Sequence, residues 1–182
     1  MSPARGFPPA ARADARVLVL GSLPGVRSIE AQQYYAHPQN AFWPIMGSLF
    51  GFDPALSYRQ RIGALLDARV ALWDVLGESE RPGSLDSAID TASARTNDLG
   101  AFFAAHPALE LLAFNGRKAE ALFRRLALPG HDSPAPPAVL LPSTSPAYAA
   151  LDRATKLRHW AVVAAAAAGR LDEAPRAGFL YR

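Results

Sequence analysis

The apolar residues of this chain fall into two kinds of run. Four runs are short and nearly continuous: Arg16-Val-Leu-Val-Leu20, Val70-Ala-Leu-Trp-Asp-Val75, Leu109-Glu-Leu-Leu-Ala-Phe114 and Ala138-Val-Leu-Leu141. A stretch of that length, apolar at successive positions, predicts a strand covered on both faces. Three of the four close directly on turn residues, at Gly21, at Asn115-Gly116 and at Pro142. Longer stretches with helical spacing lie between them. Residues 42–50 and 57–68 separate the first two strands. Residues 98–105 precede the third and 117–126 follow it, with apolar Ala119, Leu122, Phe123 and Leu126 on one face. Residues 151–168 form the last predicted helix. Strands alternating with helices predict an α/β fold with a mostly parallel sheet between helical layers. Residues 78–96 read as a polar surface connection with one short helical piece, and His131–Pro137 as a Pro-rich loop.

In such sheets ligands bind beyond the carboxyl ends of the strands. Four segments of distinctive chemistry fall there. The first strand opens into Gly21, Ser22, Leu23, Pro24 and Gly25, and then into Tyr34-Tyr-Ala-His-Pro-Gln-Asn-Ala-Phe-Trp43. Asp74 ends the second strand and Asn115 follows the third. After the fourth come Ser143, Thr144, Ser145 and Pro146.

Each segment has two readings. The Gly21–Gly25 loop is a tight turn or a cradle for a ligand. It lacks the Gly-Lys-Ser/Thr of a P-loop and the GxGxxG of a dinucleotide site, which argues against a nucleotide cofactor. Phe42 and Trp43 suit core packing, whereas Tyr35 suits stacking on a flat ring. Asn40 precedes a helix, so it is an N-cap or an amide that orients a water. His37 is a turn residue, a phosphate contact or a proton donor. The small hydroxyls of Ser143–Ser145 make a turn, or a rigid loop that enters a groove and bonds phosphates. Arg153, Lys156, Arg158 and His159 form a solvated face or a phosphate track. Asp74 has no second acid at a persuasive position for paired-carboxylate chemistry, and the GxSxG of a serine hydrolase is absent.

Composition narrows the classes. The chain has 182 residues, 50% of them hydrophobic, enough for one domain with a sizeable core. No apolar run approaches the roughly 20 residues of a membrane span. No cysteine is present, which excludes disulfides and Cys-based zinc sites. Residues 1–15 are rich in Arg, Pro and Ala without an apolar signal region, so they are expected to be a flexible lead-in to a protein of the cytoplasm. A single domain is expected over residues 16–170, with a tail at 171–182. The net charge is +3, and all but Lys118 and Lys156 of the 19 basic residues are arginine, which suits phosphate contact.

The motifs Gly21-Ser-Leu-Pro-Gly25, Gln33-Tyr-Tyr-Ala-His-Pro-Gln-Asn-Ala-Phe-Trp43, Ala71-Leu-Trp-Asp-Val75, Leu112-Ala-Phe-Asn-Gly116 and Leu141-Pro-Ser-Thr-Ser-Pro146 together resemble the uracil-DNA glycosylase superfamily, and within it the hypoxanthine-DNA (deoxyinosine) glycosylase branch. The resemblance implies a three-layer α/β/α sandwich with a central four-stranded parallel sheet. It implies a monofunctional enzyme that flips a damaged base from double-stranded DNA, acts as a monomer, and needs neither metal nor cofactor. The superfamily's usual catalytic Asn or Asp falls at Leu23, which cannot orient water. In the hypoxanthine branch the task passes to the Asn of the His-Pro-x-Asn stretch, here Asn40. Tyr35 matches the base-stacking position. Backbone groups of residues 21–25, with Asn115, would read the base edge, and residues 143–146 would wedge into the minor groove. The alternatives are a broader uracil or mismatch glycosylase, a non-catalytic DNA-damage binding module, and a small-molecule hydrolase or nucleotide-binding protein.

Overall fold

The computed structural model of the chain describes residues 3–128, 135–173 and 179–181. In chain order the strands are β1 (Ala4–Arg5), β2 (Val17–Gly21), β3 (Val70–Asp74), β4 (Leu76–Ser79), β5 (Arg95–Thr96), β6 (Leu111–Asn115), β7 (Ala138–Leu141) and β8 (Phe179–Tyr181). The helices are α1 (Val26–Ala31), α2 (Phe42–Phe50), α3 (Tyr58–Asp67), α4 (Leu99–Ala105), α5 (Arg117–Leu122) and α6 (Arg153–Ala167). The loop expected at His131–Pro137 falls at residues 131–134 outside the described residues.

The four apolar runs form the parallel core of one sheet, in the order β3-β2-β6-β7, and β8 adds an antiparallel edge beside β7. The expected tail therefore extends the sheet at Phe179–Tyr181. Side chains alternate between the faces. Val17, Val19, Leu72, Leu111, Ala113 and Val139 meet Phe42, Trp43, Ile45, Met46 and Trp160 on one side. Leu18, Leu20, Ala71, Leu112 and Phe114 meet Leu99, Phe102, Phe103, Leu122 and Phe123 on the other. Both faces are thus covered by helices, which makes the three layers of an α/β/α sandwich.

Local chemistry sets the helix ends. Ser57 and Gln60 form a capping box at the start of α3. Asp98 and Asp152 each accept a backbone N–H at the start of α4 and α6. The last helix therefore begins at Arg153, behind its cap, rather than at Leu151. α5 is continuous with a π-helical turn over Phe123–Ala127, so the segment expected at 117–126 changes winding part-way.

Two expectations are corrected. Residues 4–10 of the lead-in are not free. Ala4 and Arg5 pair with Ser79 and Glu78, and Ala10 bridges to Leu72 along the outer edge of β3. The Phe7 ring meets Tyr34 edge-on at 5.2 Å, the Trp73 indole donates to the Phe7 carbonyl at 3.0 Å, and the Tyr34 hydroxyl donates to the Pro8 carbonyl at 3.1 Å. The segment covers an edge strand that would otherwise offer an unpaired backbone. Residues 78–96 are likewise not a plain surface loop: β4 pairs with β1 and β5 in a small antiparallel sheet, and a 3-10 turn at Asp86–Ala88 folds back toward the main sheet.

Among the described residues no helix is long and apolar enough to cross a membrane.

Deleting residues 1–10 removes the Phe7–Tyr34 contact and the backbone bonds along β3 and β4. The expected cost is about 2–4 kcal/mol from lost burial and hydrogen bonds. A thermal melt reads this directly, and an unchanged Tm would show that the segment contributes nothing to the fold.

Candidate active site

Parallel register brings the strand ends together. Gly21 of β2 stands opposite Asp74 of β3, and Asn115 of β6 opposite Leu141 of β7. A cleft of about 470 Å³ opens above them. The candidate base- and DNA-contacting residues of the four strand-end segments line it: Gly21, Ser22, Leu23, Pro24, Gly25, Tyr35, His37, Asn40, Asn115, Ser143, Thr144, Ser145 and Pro146, whereas Arg153, Lys156, Arg158 and His159 do not.

The 143–146 loop is held at Thr144, which is 1% exposed. The Asn115 amide nitrogen donates to Thr144 Oγ1 at 2.8 Å, and the Thr144 backbone N–H donates to Asn115 Oδ1 at 2.9 Å. The Ala41 N–H then donates to the Thr144 carbonyl at 3.0 Å. One residue thus ties the end of β6 to the turn carrying Asn40. Gly116, at φ +94°, permits the approach, because a Cβ there would lie 2.9 Å from that of Ser143. Asn115 was expected to help read a base, but one bond from each end of its amide goes to Thr144. Its demonstrated part is to position the loop.

The 21–25 loop is held from behind by Arg81, a residue in the segment read as surface. The Arg81 guanidinium donates to the carbonyls of Leu23, Pro24 and Gly83, and the residue is 9% exposed. Ser22 donates to Asp86 at 2.6 Å, and Ser84 accepts the Val26 N–H at 3.0 Å. The Leu23 side chain is buried in the apolar cluster beneath the sheet and cannot hold a water in the cleft. Gly21 has no room for a side chain, because the Asp74 carboxylate occupies the space a Cβ would take.

Phe42 and Trp43 are both core residues, at 0% and 3% exposure. Tyr35 adopts a left-handed backbone, φ +55°, and stacks on Phe42 with ring centroids 4.0 Å apart. That contact braces one face of the ring from the core. Asn40 Oδ1 accepts the Phe42 N–H at 3.0 Å, so the amide closes the turn that leads into α2, one residue ahead of the Ala41 N-cap. The same bond identifies the oxygen and leaves it a second lone pair on the wall of the cleft. His37 Nδ1 accepts the Gln39 N–H at 3.2 Å, which in the neutral ring puts the proton on Nε2.

Charge at the site comes from residues that sequence reasoning left unassigned. Asp74 is 4% exposed, and its carboxyl is pushed up from 3.8 to about 7, first by burial, then by Asp86, with Arg81 opposing. Burial, with the nearby Asp74 charge, also drives the Tyr35 hydroxyl upward. The second acid missing from the sequence is therefore Asp86, delivered by a loop whose fold no periodicity foretells. The basic group on α6 divides: Arg153, Arg158 and His159 are exposed, while Lys156 is buried and donates to the Tyr148 carbonyl at 2.8 Å, pinning the far end of the 143–148 loop. Among the described residues no cluster of His, Asp or Glu could hold a metal ion.

The chain is similar to known proteins in sequence and fold. A hypoxanthine DNA glycosylase of Methanosarcina barkeri is 39% identical over 115 residues, which cover 63% of this chain and 72% of the relative. One from Methanosarcina acetivorans is 40% identical over 116 residues, with the same coverage. The solution NMR structure of a Methanosarcina acetivorans protein, described as a candidate uracil DNA glycosylase, superposes with a TM-score of 0.75 at 33% identity, covering 91% of this chain and 99% of that one. The family model of the uracil DNA glycosylase superfamily matches residues 8–167, a span that includes every strand end lining the cleft. With fold, motifs and match in agreement over most of its length, the chain belongs to the uracil DNA glycosylase superfamily.

Proposed function

We propose that this protein is a monofunctional DNA glycosylase that removes hypoxanthine from deoxyinosine in double-stranded DNA. The observation that carries the reading is the turn at Asn40. It carries an amide oxygen with one lone pair committed to Phe42 and a second uncommitted, on a residue that lines the cleft where the Leu23 side chain is buried. The relatives named hypoxanthine DNA glycosylases support the lesion.

An inosine pair is weaker than a normal pair, so the base leaves the stack at lower cost. The flipped purine rests on the face of Tyr35 that Phe42 leaves free. Backbone groups of residues 21–25, held by Arg81, face its edge. Asn40 orients a water beneath the anomeric carbon as the sugar gains oxocarbenium character. Asn is not a base, so its part is orientation and electrostatics. His37 Nε2–H is a donor toward the departing base. The loop of Ser143, Thr144, Ser145 and Pro146, rigid through Thr144, enters the minor groove, and exposed Arg27 at the cleft wall contacts phosphate. All of these groups come from one chain, which supports action as a monomer.

Asn40→Ala loses about 10²-fold or more in single-turnover excision while binding of inosine duplex persists. It also loses the bond to the Phe42 N–H in the turn before α2, at about 1 kcal/mol. Asn40→Asp keeps an oxygen at both tasks and retains far more activity, so a thermal melt run beside alkaline strand cleavage separates chemistry from folding. Wild-type rates in Asn40→Ala would remove Asn40 from the mechanism.

On a panel of duplexes carrying hypoxanthine, xanthine, uracil or ethenocytosine, hypoxanthine is released fastest. A faster uracil rate points to the broader glycosylase, and affinity without release to a binding module. DNA affinity falls steeply with salt, as phosphate contact requires. Activity on free inosine with salt-independent behaviour would indicate a small-molecule enzyme.

A further inference from the structure

Asp74 lies at the floor of the cleft, and the mechanism above does not use it. It is 4% exposed, and among the described residues its buried Oδ2 has no hydrogen-bond partner. It is admitted there by Gly21, where any side chain would collide with it. The groups facing it from each neighbouring element are Asp86 and Arg81 from the 81–86 segment, Tyr34 and Tyr35 from the turn before α2, and Tyr58 from α3. None neutralises it by contact. The Arg81 guanidinium is turned onto the carbonyls of Leu23, Pro24 and Gly83, and Asp86 is bonded to Ser22. A buried acid kept only for structure is normally hydrogen-bonded, because an unpartnered one is costly. This one faces the cleft without a partner.

We propose that Asp74 is the general acid of the reaction, donating its proton to N7 of the flipped purine. The assignment rests on the hypoxanthine reading. As the N9–C1′ bond breaks, its electron pair passes to N9 and the Asp74 proton passes to N7, so hypoxanthine leaves as a neutral tautomer. Water oriented by Asn40 bonds to C1′ and releases one proton to solvent. The Asp74 carboxylate then regains a proton from solvent, and the sum is hydrolysis. N7 is the basic ring nitrogen remote from the bond that breaks, and a pyrimidine has no counterpart. The donor thus assists purine lesions and leaves uracil unassisted.

Stability gives an independent readout. The folded carboxyl holds its proton up to about 7 against an ordinary 3.8. Between those values the folded state binds more protons than the unfolded one, so the contribution of Asp74 to stability is complete below the lower value and is lost as pH rises through the upper. Asp74→Asn removes that slope and is expected to melt higher than wild type above neutral pH.

The test is single-turnover excision by wild type and Asp74→Asn from about pH 5.5 to 8.5, on duplexes carrying hypoxanthine or 7-deazahypoxanthine, which lacks N7. On hypoxanthine the wild-type rate falls about tenfold per pH unit above about 7, and Asp74→Asn is slower by about 10² and flat in the acid range. On the deaza lesion the two proteins are equally slow although both bind it. A folded Asp74→Asn with the wild-type rate and profile overturns the proposal. Should that variant not fold, wild-type removal of the deaza base at the hypoxanthine rate overturns it instead, and a slow rate supports it. Fast excision with a flat wild-type profile overturns only the role of Asp74. No excision of hypoxanthine at any pH overturns the underlying reading and this assignment with it.

Discussion

The site depends on Thr144. Its side chain and backbone exchange two bonds with Asn115, and its carbonyl receives a third from Ala41. Three chain segments far apart in sequence therefore converge on one buried residue. In a low-dielectric setting such a network is rigid when fully satisfied and costly when broken. The 143–146 loop and the turn that carries Asn40 are thereby held at a set distance. A glycosylase needs such a constraint, since water, sugar and base must be aligned.

A second constraint acts through the sheet. Parallel register sets Gly21 against Asp74, and the absent side chain at Gly21 makes room for the carboxyl. The 21–25 loop is in turn held by Arg81 and Asp86, from a segment that also carries the small sheet with β1. Residues 4–10, through their pairing with β4 and β3, are thus mechanically continuous with the back of the cleft. The site is built from both ends of the domain, although its chemistry sits on short loops.

Much of this was legible in the sequence. Parallel strands buried on both faces must be apolar at every position, so Val17–Leu20 or Ala138–Leu141 could hardly be read otherwise. Helix starts at Ser57, Asp98 and Asp152 carry their own capping chemistry. The lead-in was misread because its attachment uses backbone groups and one aromatic, Phe7, which leave no periodic trace. β4 and β5 are too short for alternation to register. Lys156 looked like a surface charge among Arg153, Arg158 and His159, and its burial follows only from where the 143–148 loop passes.

The sequence by itself determined the sheet, its two helical layers, the edge at which the cleft opens, and the candidate residues along that edge, because each follows from local pattern or from a short motif. Tertiary structure decided how those residues divide their labour. Asn115 bonds Thr144, Asn40 bonds the Phe42 N–H at the wall of the cleft, and Asp86 comes to stand near Asp74. These outcomes rest on contacts between residues far apart in number, Ala41 and Thr144 by 103 and Leu23 and Arg81 by 58, and no local preference encodes them. A buried carboxyl left without a partner is likewise invisible in a string of letters, since it is defined by what the folded neighbours do not supply.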